Sequence, residues 1–198
     1  MKRELSGSLW SYEFIIMFLV AQMHPVLSAP THMNCDIFEK SEFVTALLLH
    51  EAIQTFEQYI AYYHFEGDPD ELLDSTVAGV TPSEKQLDIY VKTMLFRLHI
   101  HQVKDDQEKL FKAPESILMP LKDIRHRLGH HLDLTKTILG LLEGEVELPP
   151  RPTPLALPYE HRYEKKVYGW KILASLKHWL ARVLEVQSEA KAGCLEGI

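Results

Sequence analysis

The chain has 198 residues, of which 46% are hydrophobic, and its formal net charge is −7. That length can bury one sizeable core and is too short to suggest two, so we expect one domain. The negative charge argues against nucleic acid or an anionic membrane surface as partner, because phosphate binding needs a concentrated positive field. A protein partner or a small ligand is favoured.

The first segment of the chain has the pattern of a secretory signal peptide. Lys2 and Arg3 give a positive start, residues 14–20 form a short apolar run, and small residues suited to cleavage follow it. The alternative is a transmembrane anchor, but a spanning helix needs about 20 apolar residues, and Pro25 follows this run too soon. We therefore predict a signal peptide over 1–28 and a secreted, extracellular protein.

The first predicted helix covers about Asp36–His64. Its apolar and aromatic residues recur every three or four positions, as on one face of a helix. That face includes Val44, Leu48, Ala52, Thr55, Phe56, Tyr59 and Tyr63. The opposite face carries polar residues: His50, Gln54, Glu57 and Gln58.

The second predicted helix covers about Ser83–Phe111, after a helix start signal at Thr81-Pro82. Its main apolar stripe consists of Leu87, Tyr90, Val91, Met94, Leu95 and Leu98. A second stripe consists of Ile89, Phe96, Ile100 and Val103. The second stripe suggests that a loop covers the back of this helix.

The third and fourth predicted helices each have a single apolar arc. The third starts at Pro114-Glu115 and runs to about Glu143, and the fourth covers about His161–Lys191. The arc of the fourth helix is the most regular and consists of Ile172, Leu173, Leu176, Trp179, Leu180, Val183 and Leu184. Since each helix has a face to bury, the four faces are expected to close around a common core.

The lengths of the connections predict the directions of the helices. About 17 residues separate the first helix from the second and the third from the fourth, whereas only a few separate the second from the third. Short links join antiparallel neighbours, but a link that crosses a helix of about 40 Å needs a dozen residues or more. The pattern predicts an all-α, long-chain four-helix bundle over 29–198, with up-up-down-down topology.

The two cysteines lie at the ends of this predicted bundle. Cys35 precedes the first helix and Cys194 follows the fourth, so the proposed topology brings them to the same pole. An oxidising compartment could join them in a disulfide. The alternative is a pair of free thiols, or a loose tail that leaves Cys194 for pairing between molecules.

Parts of the fourth predicted helix resemble a known cytokine family. The stretches Tyr163–Leu173 and His178–Arg182 resemble the last helix of the interleukin-6 family, in its branch with ciliary neurotrophic factor, leukaemia inhibitory factor and the cardiotrophins. Val103–Gln107 resembles the matching stretch of a cardiotrophin. The resemblance implies a monomeric secreted cytokine with growth factor activity. It would assemble the leukaemia inhibitory factor receptor and the shared interleukin-6 signal transducer, with or without an alpha receptor, and trigger JAK/STAT signalling.

The resemblance also implies receptor-binding residues. In this branch a Phe-x-x-Lys motif at the start of the last helix enters the leukaemia inhibitory factor receptor. Tyr163 keeps the aromatic ring of that motif, Lys166 matches its cation, and Trp170 lies one turn further on. Arg182 resembles an arginine that helps bind an alpha receptor. The surface for the shared transducer would include Gln54, Glu57, His126 and His130.

Each of these assignments has a structural alternative. Tyr163 could pack on the end of the bundle, Lys166 could be a solvated cation, and Arg182 could be a solvated residue near Glu185. His126 and His130, with Asp133, have a spacing compatible with a surface metal site. We find no fourth ligand and no zinc protease motif in the sequence, so we expect no metal and no cofactor.

Enzymatic activity is not expected. The sequence contains no nucleophile elbow and no Gly-rich phosphate-binding loop. The alternative function is that of a secreted helical carrier that binds an apolar ligand within the bundle, where Tyr59 and Trp179 could line a pocket. A cavity above about 300 Å³ between the helices would favour the carrier.

Overall fold

The computed structural model describes residues 35–145, 147–153, 159 and 161–196, with side chains up to Cys194. The predicted signal peptide over 1–28 lies outside the described residues. Four α-helices account for most of the described chain: α1 (Asp36–Tyr63), α2 (Pro82–Asp106), α3 (Glu115–Glu143) and α4 (Arg162–Glu196). These residues contain no strand, which confirms the all-α class. None of the described helices is long and apolar enough to cross a membrane.

The start of α2 has a capping box, which explains why the helix begins where it does. The Thr81 hydroxyl accepts a hydrogen bond from the Glu84 backbone N–H at 3.2 Å, and the Glu84 carboxylate accepts one from the Thr81 N–H at 2.9 Å. These two bonds satisfy N–H groups that lack a partner within the helix. Pro82 occupies the first helical position, where its missing N–H costs nothing.

The far end of α2 runs into a π-helical turn, Gln107–Phe111. Lys112 then takes a left-handed conformation with φ of 50° and closes the turn by donating its N–H to the Gln107 carbonyl. The predicted second helix therefore does extend to Phe111, but it is an α-helix up to Asp106 and a π-helical turn after it. The π turn leaves the Gln107 side chain fully buried against the neighbouring helices.

One hydrophobic core is shared by all four helices. Helix α1 packs against α3 and α4, and α2 packs against the same two helices. Trp179 lies fully buried in this core, with its ring stacked on Phe96 at 4.8 Å between centroids. The Ser83 hydroxyl at the start of α2 donates to the Glu143 carboxylate at the end of α3. Six of the seven core positions predicted for α4 are buried, and Leu184 is partly buried. The six are Ile172, Leu173, Leu176, Trp179, Leu180 and Val183.

The prediction for the faces of α2 was wrong. The stripe that we expected to lie under a loop is the one that enters the common core: Ile89, Phe96, Ile100 and Val103. Tyr90 and Met94 of the expected main stripe form a separate cluster with Leu139, and Val91 is exposed. Because α2 packs against two helices, it buries two faces, and its apolar pattern does not say which face is central.

The two ends of the described chain are joined by a disulfide. Cys35 lies just before α1, and Cys194 lies in the last turns of α4, which continues past the predicted end at Lys191 to Glu196. The Cα atoms are 5.9 Å apart, which is within the range that a disulfide can bridge. Cys194 is buried in a small apolar cluster with Phe38 and Ile138.

Candidate functional site

Two cations at the start of α4 rest on aromatic rings from α1 and the π turn. The Lys166 ammonium lies 4.5 Å from the centre of the Tyr63 ring and 5.3 Å from that of Phe111. The Arg162 guanidinium lies 5.3 Å from the Phe111 ring centre. A cation over an aromatic face is attracted by the ring quadrupole, with about 0.5–1 kcal/mol at an exposed site. We call these four residues, Tyr63, Phe111, Arg162 and Lys166, the aromatic–cation cluster.

A buried hydrogen-bond network supports this cluster from below. The Gln107 amide donates to the Tyr59 hydroxyl at 3.0 Å, and the Tyr59 hydroxyl donates to the Lys166 carbonyl at 3.1 Å. The Tyr63 hydroxyl donates to the Gln107 side-chain oxygen. Burial raises the pKa of Tyr59 well above its usual range and that of Tyr63 to about 12. Both hydroxyls therefore stay protonated and tie the first turns of α4 to α1 and the π turn.

The close approach of α1 to α4 depends on a glycine. A Cβ atom at Gly169 would lie 2.9 Å from Cζ of Tyr59 and closer still to its hydroxyl oxygen. The Tyr59 ring cannot retreat easily, because its hydroxyl is bonded on two sides and its ring is fully buried. The residue at 169 thus sets the distance between the two helices.

We expect Gly169→Ala to lower the free energy of unfolding by about 1–3 kcal/mol, the usual cost of overpacking a core. Urea unfolding of the purified protein measures it. Gly140→Ala is the matched control, because Gly140 lies in α3 and a Cβ there would meet nothing within 4 Å. That control should be neutral or stabilising by up to about 1 kcal/mol. An unchanged stability of Gly169→Ala would contradict the close approach.

Tyr163 points away from the bundle. Its side chain is 69% exposed, although it lies in the first turn of α4, three residues before Lys166. The alternative in which Tyr163 packs on the end of the bundle is therefore wrong. The alternative in which Lys166 is a solvated cation is also wrong in part. Its ammonium is held on two rings, and its side chain is half-buried.

Trp170 takes part in packing. Its ring is stacked on Phe65, with 4.6 Å between centroids and an angle of 7° between planes. The residue is only partly buried, and its buried indole N–H has no hydrogen-bond partner within the described part of the chain. Trp170 therefore holds the segment after α1 against α4, next to the aromatic–cation cluster.

The other predicted site residues lie on different parts of the surface. Arg182 is exposed on α4 and lies 3.1 Å from the Glu185 carboxylate, an exposed pair that adds little to stability. Four residues on α1 and α3 are also exposed: Gln54, Glu57, His126 and His130. Among the described residues, no group of three or more His, Cys, Asp or Glu side chains could hold a metal ion.

A partly buried ion pair joins α1 to α3 beside these exposed residues. Arg127 donates two hydrogen bonds to the Glu51 carboxylate, each of 2.7 Å. The hydrogen bond with Glu51 raises the pKa of the Arg127 guanidinium. A two-point pair of this kind fixes orientation as well as distance. Gln54 lines a recess of about 200 Å³ between the same helices.

Sequence reasoning missed a larger groove between α2 and α3. Its volume is about 440 Å³, and its walls include Arg97, Arg125 and Lys136. The volume exceeds the 300 Å³ that would favour a carrier, but the walls carry charges and the groove opens on the surface. It is therefore not the apolar interior pocket that the carrier hypothesis requires. Three cations so far apart in the sequence gave no local motif.

These features define an all-helical protein whose candidate binding residues lie on its outer surface. Comparison of the chain with protein-family models and with curated proteins found no match. The functional assignment therefore depends on the residues themselves and on the resemblance of the fourth helix.

Proposed function

We propose that this protein is a secreted cytokine that binds and assembles cell-surface receptors. The observation that carries the proposal is the exposed Tyr163 beside Lys166, at the start of α4. Tyrosine is one of the residues that dominate interface hot spots, and here it lies exposed beside a positioned cation. The resemblance to the interleukin-6 family favours the leukaemia inhibitory factor receptor as the chain bound here, and the shared signal transducer as its companion.

The proposal includes an up-up-down-down order of the four helices. The disulfide between Cys35 and Cys194 supports it, because it joins the start of α1 to the end of α4. The hydrogen bond from Tyr63 to Gln107 supports it too, since it joins the ends of α1 and α2 at one pole. The contact between the start of α2 and the end of α3 agrees with the short link between those helices.

The aromatic–cation cluster would help binding by holding the Lys166 side chain in place before the receptor binds. A lysine side chain that becomes ordered on binding loses rotamer freedom, at about 0.5–1.5 kcal/mol. Here the ammonium already lies on Tyr63 and Phe111, so part of this rotamer entropy is lost on folding and not on binding. Tyr163 adds a large contact area with few rotatable bonds, which keeps its own ordering cost low.

Separate surfaces would let the protein hold two receptor chains at once. Helices α1 and α3 pack together and expose Gln54, Glu57, His126 and His130, which we propose as the surface for the shared transducer. Arg182 lies on α4 and would contact an alpha receptor. Bringing the chains together would bring together their cytoplasmic kinases and start JAK/STAT signalling.

We expect Tyr163→Ala/Lys166→Ala to weaken binding to a leukaemia inhibitory factor-type receptor ectodomain by about 2 kcal/mol or more, the scale of a hot spot. Stability should fall by no more than about 1–2 kcal/mol, because only contacts of Lys166 with two rings are lost. Surface plasmon resonance and urea unfolding measure the two effects.

The matched control is Phe43→Ala, since Phe43 is 68% exposed on α1 and has nearly the same exposure as Tyr163. It should leave affinity for this receptor unchanged. Tyr163→Phe should retain binding, because it keeps the ring and restores the phenylalanine of the family motif. Intact affinity of the double alanine variant, with or without a loss of stability, would refute the proposed anchor.

A further inference from the structure

The groove between α2 and α3 is rich in positive charge although the protein as a whole is acidic. Arg97 lies on α2, Arg125 and Lys136 lie on α3, and Arg151 comes from the connection that follows α3. Asp133 is the one carboxylate among the described residues that line the groove. We call this feature the α2–α3 groove.

The cations of the groove differ from most others in the protein. Lys92 lies 2.8 Å from the Asp74 carboxylate, Lys177 lies 2.8 Å from Asp68, and Lys191 lies 2.7 Å from Glu42. By contrast, none of the four groove cations has an ion-pair or hydrogen-bond partner in the ranges that the structure describes. Unpaired cations that line one recess add their fields and attract an anion.

The cations are spread along the groove. Arg125 and Lys136 are eleven residues apart on α3, which corresponds to about 16 Å along the helix axis. Arg97 approaches α3 between them, at Gly129. A Cβ atom added to Gly129 would lie 3.7 Å from Nε of Arg97. A ligand that used all of these charges would therefore be elongated and would carry several negative groups.

Apolar side chains line part of the groove beside the cations, but the two at its floor are almost fully buried. Tyr90 and Met94 are only 9% and 7% exposed, since they are packed with Leu139 in their own cluster. An acidic peptide would therefore gain little from burying its own side chains on Tyr90 and Met94, although such burial normally supplies much of a peptide's affinity. A ligand whose affinity comes from a high density of charge fits the groove better.

We propose that the α2–α3 groove binds a linear sulfated polysaccharide. Sulfate groups along a stiff sugar chain supply repeated negative charges, and the guanidinium fork suits tetrahedral and planar oxyanions. Such polysaccharides occur at cell surfaces, so this inference relies on the secretion included in the proposed function. Binding there would concentrate the protein near its receptors, on a surface separate from Tyr163 and Lys166.

Titration calorimetry with a heparin octasaccharide as probe tests the proposal. Arg97→Gln/Arg125→Gln/Lys136→Gln should weaken binding about tenfold or more. It should also reduce the slope of log Kd against log salt by roughly one for each contact removed. Lys40→Gln/Lys122→Gln/Lys112→Gln is the matched control, because it removes the same charge from exposed lysines outside the groove. The control should keep most of the affinity of the unchanged protein.

Three results would overturn the proposal: no binding of the octasaccharide at physiological salt, an equal loss of binding in the control, or equally tight binding of an octaglutamate peptide. The last result would assign the groove to acidic peptides. Receptor affinity, measured in parallel, should be the same for the groove variant and the unchanged protein. Groove-dependent heparin binding without receptor binding would support this site and refute the cytokine assignment. Receptor binding without heparin binding would support the cytokine assignment and refute this site.

Discussion

Replacing Cys35 and Cys194 together by alanine is expected to lower the free energy of unfolding by about 3–5 kcal/mol. The disulfide spans 159 positions of the chain. Opening so long a loop returns much conformational freedom to the unfolded protein, and chain entropy alone assigns about 5 kcal/mol to it. The folded ends should stay together, since the Lys191 ammonium lies 2.7 Å from the Glu42 carboxylate. Urea unfolding at neutral pH measures the loss.

The same experiment in reducing agent supplies a control. A reductant should destabilise the unchanged protein by a similar amount and leave the alanine variant unaffected. Mass spectrometry of the purified protein without reduction should find one peptide pair that links Cys35 to Cys194. Two thiols that can be alkylated, or a dimer linked by a disulfide, would contradict the intramolecular bond.

Stability is also expected to fall as the pH is lowered from about 6.5 to about 4, because two histidines are buried in the neutral form. Burial lowers the pKa of His99 and of His131 from 6.5 to about 4. Between these values the unfolded chain binds protons that the folded protein excludes, so stability rises with pH across this range. Each shift corresponds to about 3 kcal/mol, fully present above pH 6.5 and lost on acidification to pH 4.

The surroundings of His131 explain why its charged form is excluded. Thr93 donates its hydroxyl proton to the Ile89 carbonyl at 2.6 Å, so its oxygen accepts from Nδ1 of His131 at 3.1 Å. The Gln187 amide lies 3.3 Å from Nε2 and donates to it. A second proton on the ring would face this N–H donor and find no acceptor. His99 is held by the Tyr168 hydroxyl at 2.7 Å from its Nδ1.

The test is urea unfolding at a series of pH values from 7.5 to 4.5. His131→Gln should lower stability at neutral pH and flatten the dependence on pH, since the titrating ring is gone. His126→Gln is the control, because His126 is exposed on the same helix. It should leave both stability and slope unchanged. A slope that is the same in the His131 variant as in the unchanged protein would contradict this assignment.

The helices were predictable because their signals are local. The predicted start of α2 at Ser83 is one residue from the observed start at Pro82, since the capping residues stand next to each other in the chain. Both bounds of α3 agree with the prediction. Helix α4 was predicted to end at Lys191 and continues through Gly193 to Glu196, because a single glycine costs a helix only about 1 kcal/mol. Its last turns are held by the buried Cys194.

The candidate site was predictable only where its residues are neighbours along one helix. Tyr163 and Lys166 are three residues apart, so their proximity follows from helical geometry. The rings under Lys166 were not predicted, because Tyr63 and Phe111 come from two other parts of the chain. The π turn that positions Phe111 has no recognisable sequence signal, and neither does the close contact at Gly169.

The sequence by itself determined the all-helical class, the four helices and most of their buried faces, because hydrophobic periodicity and caps act over a few residues. The tertiary structure decided which face of α2 lies in the common core, since both of its stripes are apolar and only packing against α3 and α4 distinguishes them. It also decided that Arg97, Arg125 and Lys136 share one groove. Charges on separate helices become neighbours only when the apolar faces of those helices pack together. The net negative charge of the chain does not indicate that such a cluster of cations exists.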